Sequence, residues 1–385
     1  LQSHAPTVSP AAVTTVVPPG GSLLPRASSH TSSSSSSTSP LTPSHRALSS
    51  MRTQHPGSLP HEDHAPVDPF RLLEDDLKHV YTDIRQELER NSNQHLLQTI
   101  STYYFDGQGK ALRPMLACLM ARAVNCHLDV HQGQVLPSQR QVAMIAEMIH
   151  TASLVHDDVI DQADIRRGKP SANVLWDHKK VTMAGDYILA VASQMIARLR
   201  HDDVTQVLSQ VLTDLVQGEF MQLGSKETEN ERFAHYLTKT YRKTASLIAN
   251  SLKACVMLVG ADENVTELAF QYGRNVGLAF QLVDDLLDFV SNSEAMGKPT
   301  AADLKLGLAT APYPELNPMI MRRFQEPGDV ERAFELVHKS QGLEQTRFLA
   351  RKHCLEAARL ASSLAESPFQ KALITAVDLA INRMK

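Results

Sequence analysis

Two acidic clusters carry the chemistry this sequence could do. Asp157-Asp158-Val159-Ile160-Asp161 and Asp284-Asp285-Leu286-Leu287-Asp288 each place carboxylates at i, i+1 and i+4, and the copies stand 127 positions apart. On a helix, residues four apart share a face and lie about 6 Å apart along the axis. Both clusters sit inside apolar runs, Ile145 to Ile160 and Val276 to Val290, that read as buried helices. A carboxylate taken out of water without a counter-charge is very costly. Hard divalent cations bridging to a phosphorylated ligand would compensate it, because Mg²⁺ takes a few carboxylates together with water and phosphate oxygens. One acidic triplet is more often a solvated helix face. Two copies in apolar surroundings point to metal.

Basic residues accompany both clusters. The first runs on into Asp164-Ile165-Arg166-Arg167-Gly168-Lys169-Pro170, where Gly and Pro end the helix. Two arginines there could simply pair with the neighbouring aspartates, and their bidentate forks could also clamp phosphate. Gly107-Gln108-Gly109-Lys110-Ala111-Leu112-Arg113-Pro114 sets Lys110 and Arg113 three apart at a Gly-rich helix entry, a plausible anion site. Lys243-Thr244 and Gly297-Lys298-Pro299 add two further groups. His150 stands seven residues, nearly two turns, before Asp157 on the same face, which favours a phosphate donor over a packing residue. Six carboxylates and several cations thus converge on greasy helices. That describes a site for two anionic head groups with apolar tails, in which metal draws off a diphosphate and apolar walls keep water from the resulting cation.

The elements that must hold these residues are helices. From Pro69 onward the apolar residues recur with helical period, as in Val142 to Ile160, Val181 to Leu199, Val204 to Leu223 and Leu268 to Val290. Alternating β-branched runs are lacking, so no strands are expected, and the prediction is an all-α fold: one large helical bundle, residues 69–385, with a central cavity. Residues 1–68 differ. Eleven of the 20 prolines precede residue 70, alongside a Ser32 to Ser37 homopolymer. Such a segment cannot bury enough apolar surface to fold. Its Arg26, Arg46 and Arg52, with no acidic residue before Glu62, mark an organelle transit peptide and linker. The rest of the composition is globular: 42% hydrophobic, 21% charged, formal net charge −4, which gives no sign of nucleic-acid binding. The four cysteines show no metal-ligand spacing and read as reduced, packed thiols. No uncharged apolar run reaches the roughly 18 residues of a membrane span.

Taken together, His156-Asp157-Asp158-Val159-Ile160-Asp161, Arg166-Arg167-Gly168-Lys169-Pro170 and Gly185-Asp186-Tyr187 resemble the trans-prenyltransferases, or polyprenyl diphosphate synthases. Gly109-Lys110-x-x-Arg113-Pro114, Lys243-Thr244, Gln281-x-x-Asp284-Asp285 and Gly297-Lys298-Pro299 match the family's motifs in the same order. The likeness runs from about residue 69 to the C-terminus, and within the family it is nearest the mitochondrial catalytic subunits that make decaprenyl or solanesyl diphosphate for ubiquinone. It implies the isoprenoid synthase fold and head-to-tail addition of isopentenyl diphosphate to an allylic diphosphate, farnesyl or geranylgeranyl. Lys110, Arg113, His150 and Arg167 would hold isopentenyl diphosphate without metal. Asp157, Asp161 and Asp284 would ligate Mg²⁺ on the allylic diphosphate, with Asp158, Asp285 and Asp288 as further or outer ligands. Arg166, Lys243, Thr244, Gln281 and Lys298 would surround that head group. The resemblance further implies a homologous second subunit in a heterotetramer, a mitochondrial matrix location, and peripheral membrane contact for releasing the product.

Short-chain members close their tunnel with bulky aromatics just before the first acidic motif. Ala152 and Ser153 stand there in this chain, so a small-residue floor and a long product are expected. Two features depart from the family pattern. Gly307-Leu308 replaces a Gly-Lys pair, and Ala309 to Pro314 is shorter than in relatives, with an expected loss of core contacts. A terpenoid cyclase would not need the Gly-Lys-x-x-Arg and Arg-Arg groups. A shorter-chain synthase remains open, as does a low-activity variant subunit, although an inactive paralogue would be expected to lose acidic ligands, and all six remain. A metal phosphohydrolase built on His156-Asp157 would leave the second acidic cluster unexplained.

Overall fold

A computed structural model gives the fold, and the structure describes residues 67–107, 109–224, 232–295, 315–322 and 324–382. Lys298, the Gly307-Leu308 pair, the short stretch up to Pro314 and nearly all of the expected transit segment lie outside the described residues. Two helical turns, α1 (Pro69–Leu72) and α2 (Glu74–Leu77), lead into α3 (Val80–Arg90) and α4 (His95–Thr102). The long elements are α5 (Leu112–His127), α6 (Pro137–Ile160), α8 (His178–Arg198), α9 (Asp202–Gly224), α11 (Ser246–Met257) and α12 (Glu263–Ala295), with short α7 (Ala172–Leu175) and α10 (Arg232–Thr240) between them. Helices α13 (Leu316–Met321), α14 (Asp329–Lys339), α15 (Gly342–Ala361) and α16 (Pro368–Asn382) complete the chain. Among the described residues no helix is long and apolar enough to cross a membrane.

Helix α6 packs against α5, α8 and α11. It opens on Pro137, whose missing N–H costs nothing at a first helical position. Gln139 accepts from the Leu136 N–H at 2.9 Å and donates to Cys255 O at 3.0 Å and Asn125 Oδ1 at 3.2 Å, so one buried amide ties α5, α6 and α11 together. Nearly every side chain of α6 from Val142 to Ala152 is buried, and only its C-terminal end opens toward a cavity. Among the described residues the largest core joins α3, α5, α6, α8, α9, α11, α12, α15 and α16.

Helix α12 meets α11 backbone to backbone. A Cβ at Gly273 would stand 2.7 Å from Ala249 Cα, and one at Gly277 would stand 2.5 Å from Ala245 Cα. This close approach sets the height at which the second acidic cluster, about two turns further along α12, meets the residues just before α11. Gly277→Val should therefore destabilise the protein by about 3 kcal/mol through overpacking, seen as a lower thermal-unfolding midpoint.

One hairpin departs from the all-helical expectation. Ile165–Arg166 (β1) pairs with Lys169–Pro170 (β2), antiparallel, with Arg166 opposite Lys169. Strands of two residues are too short to show alternation in a sequence. The turn residues, Arg167 (φ 53°) and Gly168 (φ 75°), both adopt positive φ, as a two-residue hairpin loop requires. Glycine takes that conformation freely, whereas for Arg167 it is a strain of order 1 kcal/mol.

Candidate active site

The C-terminal end of α6 and the middle of α12 face each other across a cavity of about 580 Å³. Asp157 and Asp161 line it from the α6 side, and Asp284 and Asp285 from α12. Burial pushes the Asp157 carboxyl up from 3.8; Lys243 opposes that shift, while Glu219 and Asp161 add to it. Asp158 does not share this exposure. It is fully buried, paired with Arg166 (Nη2 2.6 Å, Nε 2.8 Å) and accepting from the Tyr104 hydroxyl at 2.6 Å. The bland alternative for the arginine pair thus holds for Arg166, which lines the cavity while tied to Asp158. Asp285 is also engaged on both oxygens, by Gln281 Nε2 at 2.8 Å and the Tyr236 hydroxyl at 2.6 Å. The side chain of Asp288 lies outside the described residues.

Between the two acidic walls the chain loosens into a π-helical turn, Tyr241–Ala245. Such turns recur at functional sites because they re-aim consecutive side chains. Here Lys243 and Thr244 both face the cavity. The Thr244 hydroxyl donates to Gln281 Oε1 at 2.7 Å, which extends the chain through Gln281 to Asp285 and Tyr236. Lys243 bonds to Glu219, donates to Gln222 Oε1 at 3.2 Å and stands 3.9 Å from Asp157.

The second cation group lies at the α5 end of the same cavity. Arg113 and His150 line it. Burial holds the His150 imidazole well below 6.5, helped by Arg113, Arg167 and Arg166, so it is neutral at pH 7. Arg167 is half-buried and donates to Tyr104 O at 3.5 Å. Its hairpin is pinned by Lys169, which donates to Tyr103 O and to Asp106, each at 2.7 Å. Lys110 is placed differently from Arg113. It is exposed and does not line the cavity, because α5 begins only at Leu112, after Ala111 in a left-handed conformation; Lys110 and Arg113 are not one helical face.

Ala152 is fully buried in the packed core and lines neither of the two cavities described here, whereas Ser153, a further 100° around the helix, lines the polar cavity and an adjoining apolar trough of about 400 Å³. Ile149, Leu189, Leu212, Leu215 and Phe220 wall that trough. His156 sits on the same side, its Nε2 3.1 Å from Thr182 O and 3.4 Å from Asp186, tied to α8 and not to the acidic cavity. Sequence inspection missed Glu219, Gln222, Tyr236 and Tyr104. Glu219 and Gln222 had a signal, since they are polar residues three apart on an otherwise apolar helix face. The tyrosines had none.

Opposed acidic helices, two separate cation groups and an apolar trough beside them define a helical enzyme that handles diphosphates on apolar chains. The polyprenyl synthetase family model matches residues 94–336. The all trans-polyprenyl-diphosphate synthase of Homo sapiens is 54% identical over 345 residues, covering 88% of this chain and 82% of the human protein. Decaprenyl-diphosphate synthase subunit 1 of Schizosaccharomyces pombe is 43% identical over 345 residues, covering 82% of this chain and 91% of the yeast protein. The crystal structure of polyprenyl synthase from Caulobacter crescentus, complexed with calcium and isoprenyl diphosphate, aligns with a TM-score of 0.71 at 29% identity, over 85% of this chain and 100% of that one. The chain belongs to the polyprenyl synthetase family. It is a trans-prenyltransferase that extends isoprenoid chains head to tail, joining an allylic diphosphate to isopentenyl diphosphate.

Proposed function

We propose that this chain makes a long all-trans product, decaprenyl or solanesyl diphosphate, for the ubiquinone side chain, with Asp157, Asp161 and Asp284 presenting the allylic diphosphate through Mg²⁺. The observation that carries the reading is that these three carboxylates line one cavity together with Arg113 and His150. The donor set fits a hard cation. It is all oxygen, and the upward push on Asp157 from burial and from its acidic neighbours is a charge imbalance that a cation relieves. Among the described residues no group of three acidic, His or Cys side chains is gathered tightly enough to hold an ion unaided. Water and diphosphate oxygens then complete the shell, as Mg²⁺ prefers. A cation held by these carboxylates would supply charge neutralisation for the departing diphosphate.

The protein's own part is placement. Lys110, Arg113 and Arg167 seat the isopentenyl diphosphate, and neutral His150 donates one N–H to it. Lys243 leaves Glu219 for the allylic head group, beside Arg166, Thr244 and Gln281, with Lys298 joining them. Holding both substrates in one cavity turns a bimolecular step into a near-unimolecular one. Leu112, Leu154, Ile248 and Phe280 on the same wall keep water from the cation. The growing chain passes Ser153 into the apolar trough. Residues 1–68 serve as transit peptide and linker to the mitochondrial matrix, and residues 69–385 as the catalytic domain. A homologous second subunit completes a heterotetramer; the likeness to a protein named as subunit 1 supports this. The test is incubation of the purified chain, alone and with the candidate second subunit, with labelled isopentenyl diphosphate, farnesyl diphosphate and Mg²⁺. Long labelled polyprenyl diphosphates are expected; only short products, or none with both subunits present, would overturn the proposal.

A further inference from the structure

Glu147 lies ten residues before Asp157 on α6, is 2% exposed, and has no part in the reaction described above. A carboxylate this deep needs compensation. Its Oε1 accepts from the Tyr81 hydroxyl of α3 at 3.0 Å. That hydroxyl and the Arg167 guanidinium close over Gly109: a Cβ on this glycine would stand 2.5 Å from Tyr81 Oη and 2.8 Å from Arg167 Nη1. Half-buried Arg113 completes the cluster. Its Nε makes no hydrogen bond, and Glu147 is the strongest charge acting on it. The Tyr81 hydroxyl therefore ties α3 to this carboxylate on α6, while the loop before α5 and Arg167 of the hairpin pack beside that hydroxyl.

We infer that Glu147, oriented by Tyr81, is the positioning residue for Arg113 and Arg167, and so sets how tightly isopentenyl diphosphate is held. This inference rests on the assignment of those arginines to that substrate. Two guanidiniums beside one another repel, and a carboxylate beneath them holds both forks in place before the diphosphate arrives. The cost of ordering them is then met in folding and not in binding. Glu147 and Tyr81 touch no substrate. Their influence falls chiefly on the diphosphate that Arg113 and Arg167 hold.

Steady-state kinetics of the full chain separates the cases. Glu147→Gln keeps the shape and the bond from Tyr81 but removes the charge, and it should raise KM for isopentenyl diphosphate about tenfold, with KM for the allylic substrate and kcat within about twofold. Tyr81→Phe keeps the charge but frees the carboxylate, and it should raise the same KM about threefold and add nothing to Glu147→Gln in the double variant. Glu147→Asp should recover most of the loss. Equal losses across both KM values and kcat, or an isopentenyl KM unmoved by Glu147→Gln and Tyr81→Phe, would overturn the inference. Should Glu147→Gln fail to fold, Tyr81→Phe and Glu147→Asp decide alone. Arg113→Gln is the control: if it leaves that KM unchanged, the substrate assignment beneath the inference is what falls.

Discussion

Asp157→Ala is expected to lower kcat by at least about 1,000-fold while leaving the metal-free protein as stable as before or more so. Its carboxylate faces the cavity beside Asp161 and Glu219, with Lys243 3.9 Å away and held by Glu219. Its folded-state pKa lies above the unfolded value of 3.8. The cost of keeping it ionised is therefore absent below that unfolded value and fully present once pH exceeds the folded one. Removing the carboxylate removes that cost at neutral pH. Asp158 is the converse case. Asp158→Asn strips Arg166 of a fully buried partner and should destabilise the protein by roughly 2 kcal/mol, less than for a wholly buried pair because Arg166 is partly exposed. Thermal unfolding and turnover measured on both variants check the contrast. An Asp157→Ala enzyme with near-normal turnover would remove the proposed metal role.

Ser153→Phe should shift the product ladder to shorter chains. Ser153 stands where the polar cavity meets the apolar trough, and an aromatic ring there blocks the path from one to the other. Ala152→Phe has a different outcome, although the residue is adjacent. Ala152 is enclosed by the core, so the ring overpacks it at a cost of about 1–3 kcal/mol, reducing the amount of folded protein without shortening what it makes. Chromatography of labelled products, beside the unfolding midpoints of both variants, separates the two effects. An unchanged ladder for Ser153→Phe would mean that the chain grows along another route.

Helical period made α6 and α12 visible in the sequence, and with them both acidic clusters, because a duplicated polar pattern inside an apolar run is a local signal. That Asp157 meets the cavity and Asp158 does not, while Asp284 and Asp285 both do, was not visible. Adjacent residues differ by 100° around a helix, and the direction of the core depends on neighbours far away in the chain. Asp158 is turned inward by Tyr104 and Arg166, and Asp285 is engaged by Tyr236 and Gln281. The same reason hid Glu147, whose partner Tyr81 is 66 residues away. That Lys110 and Arg113, three apart in the sequence, are separated by a left-handed turn was hidden because the turn at Ala111 leaves no mark in the residue type. The Arg166-Arg167 hairpin was legible only as a break, since Gly168 and Pro170 end a helix without dictating the shape of the chain beyond it.

Crystals grown with Mn²⁺, isopentenyl diphosphate and an unreactive allylic thiodiphosphate test the central claim directly, because Mn²⁺ is located by its anomalous scattering. The expected map places the ions between Asp157, Asp161 and Asp284 on the allylic diphosphate, with a second diphosphate against Arg113 and His150 that carries no ion. Ions bound away from those three carboxylates, or metal on the isopentenyl diphosphate, would contradict it.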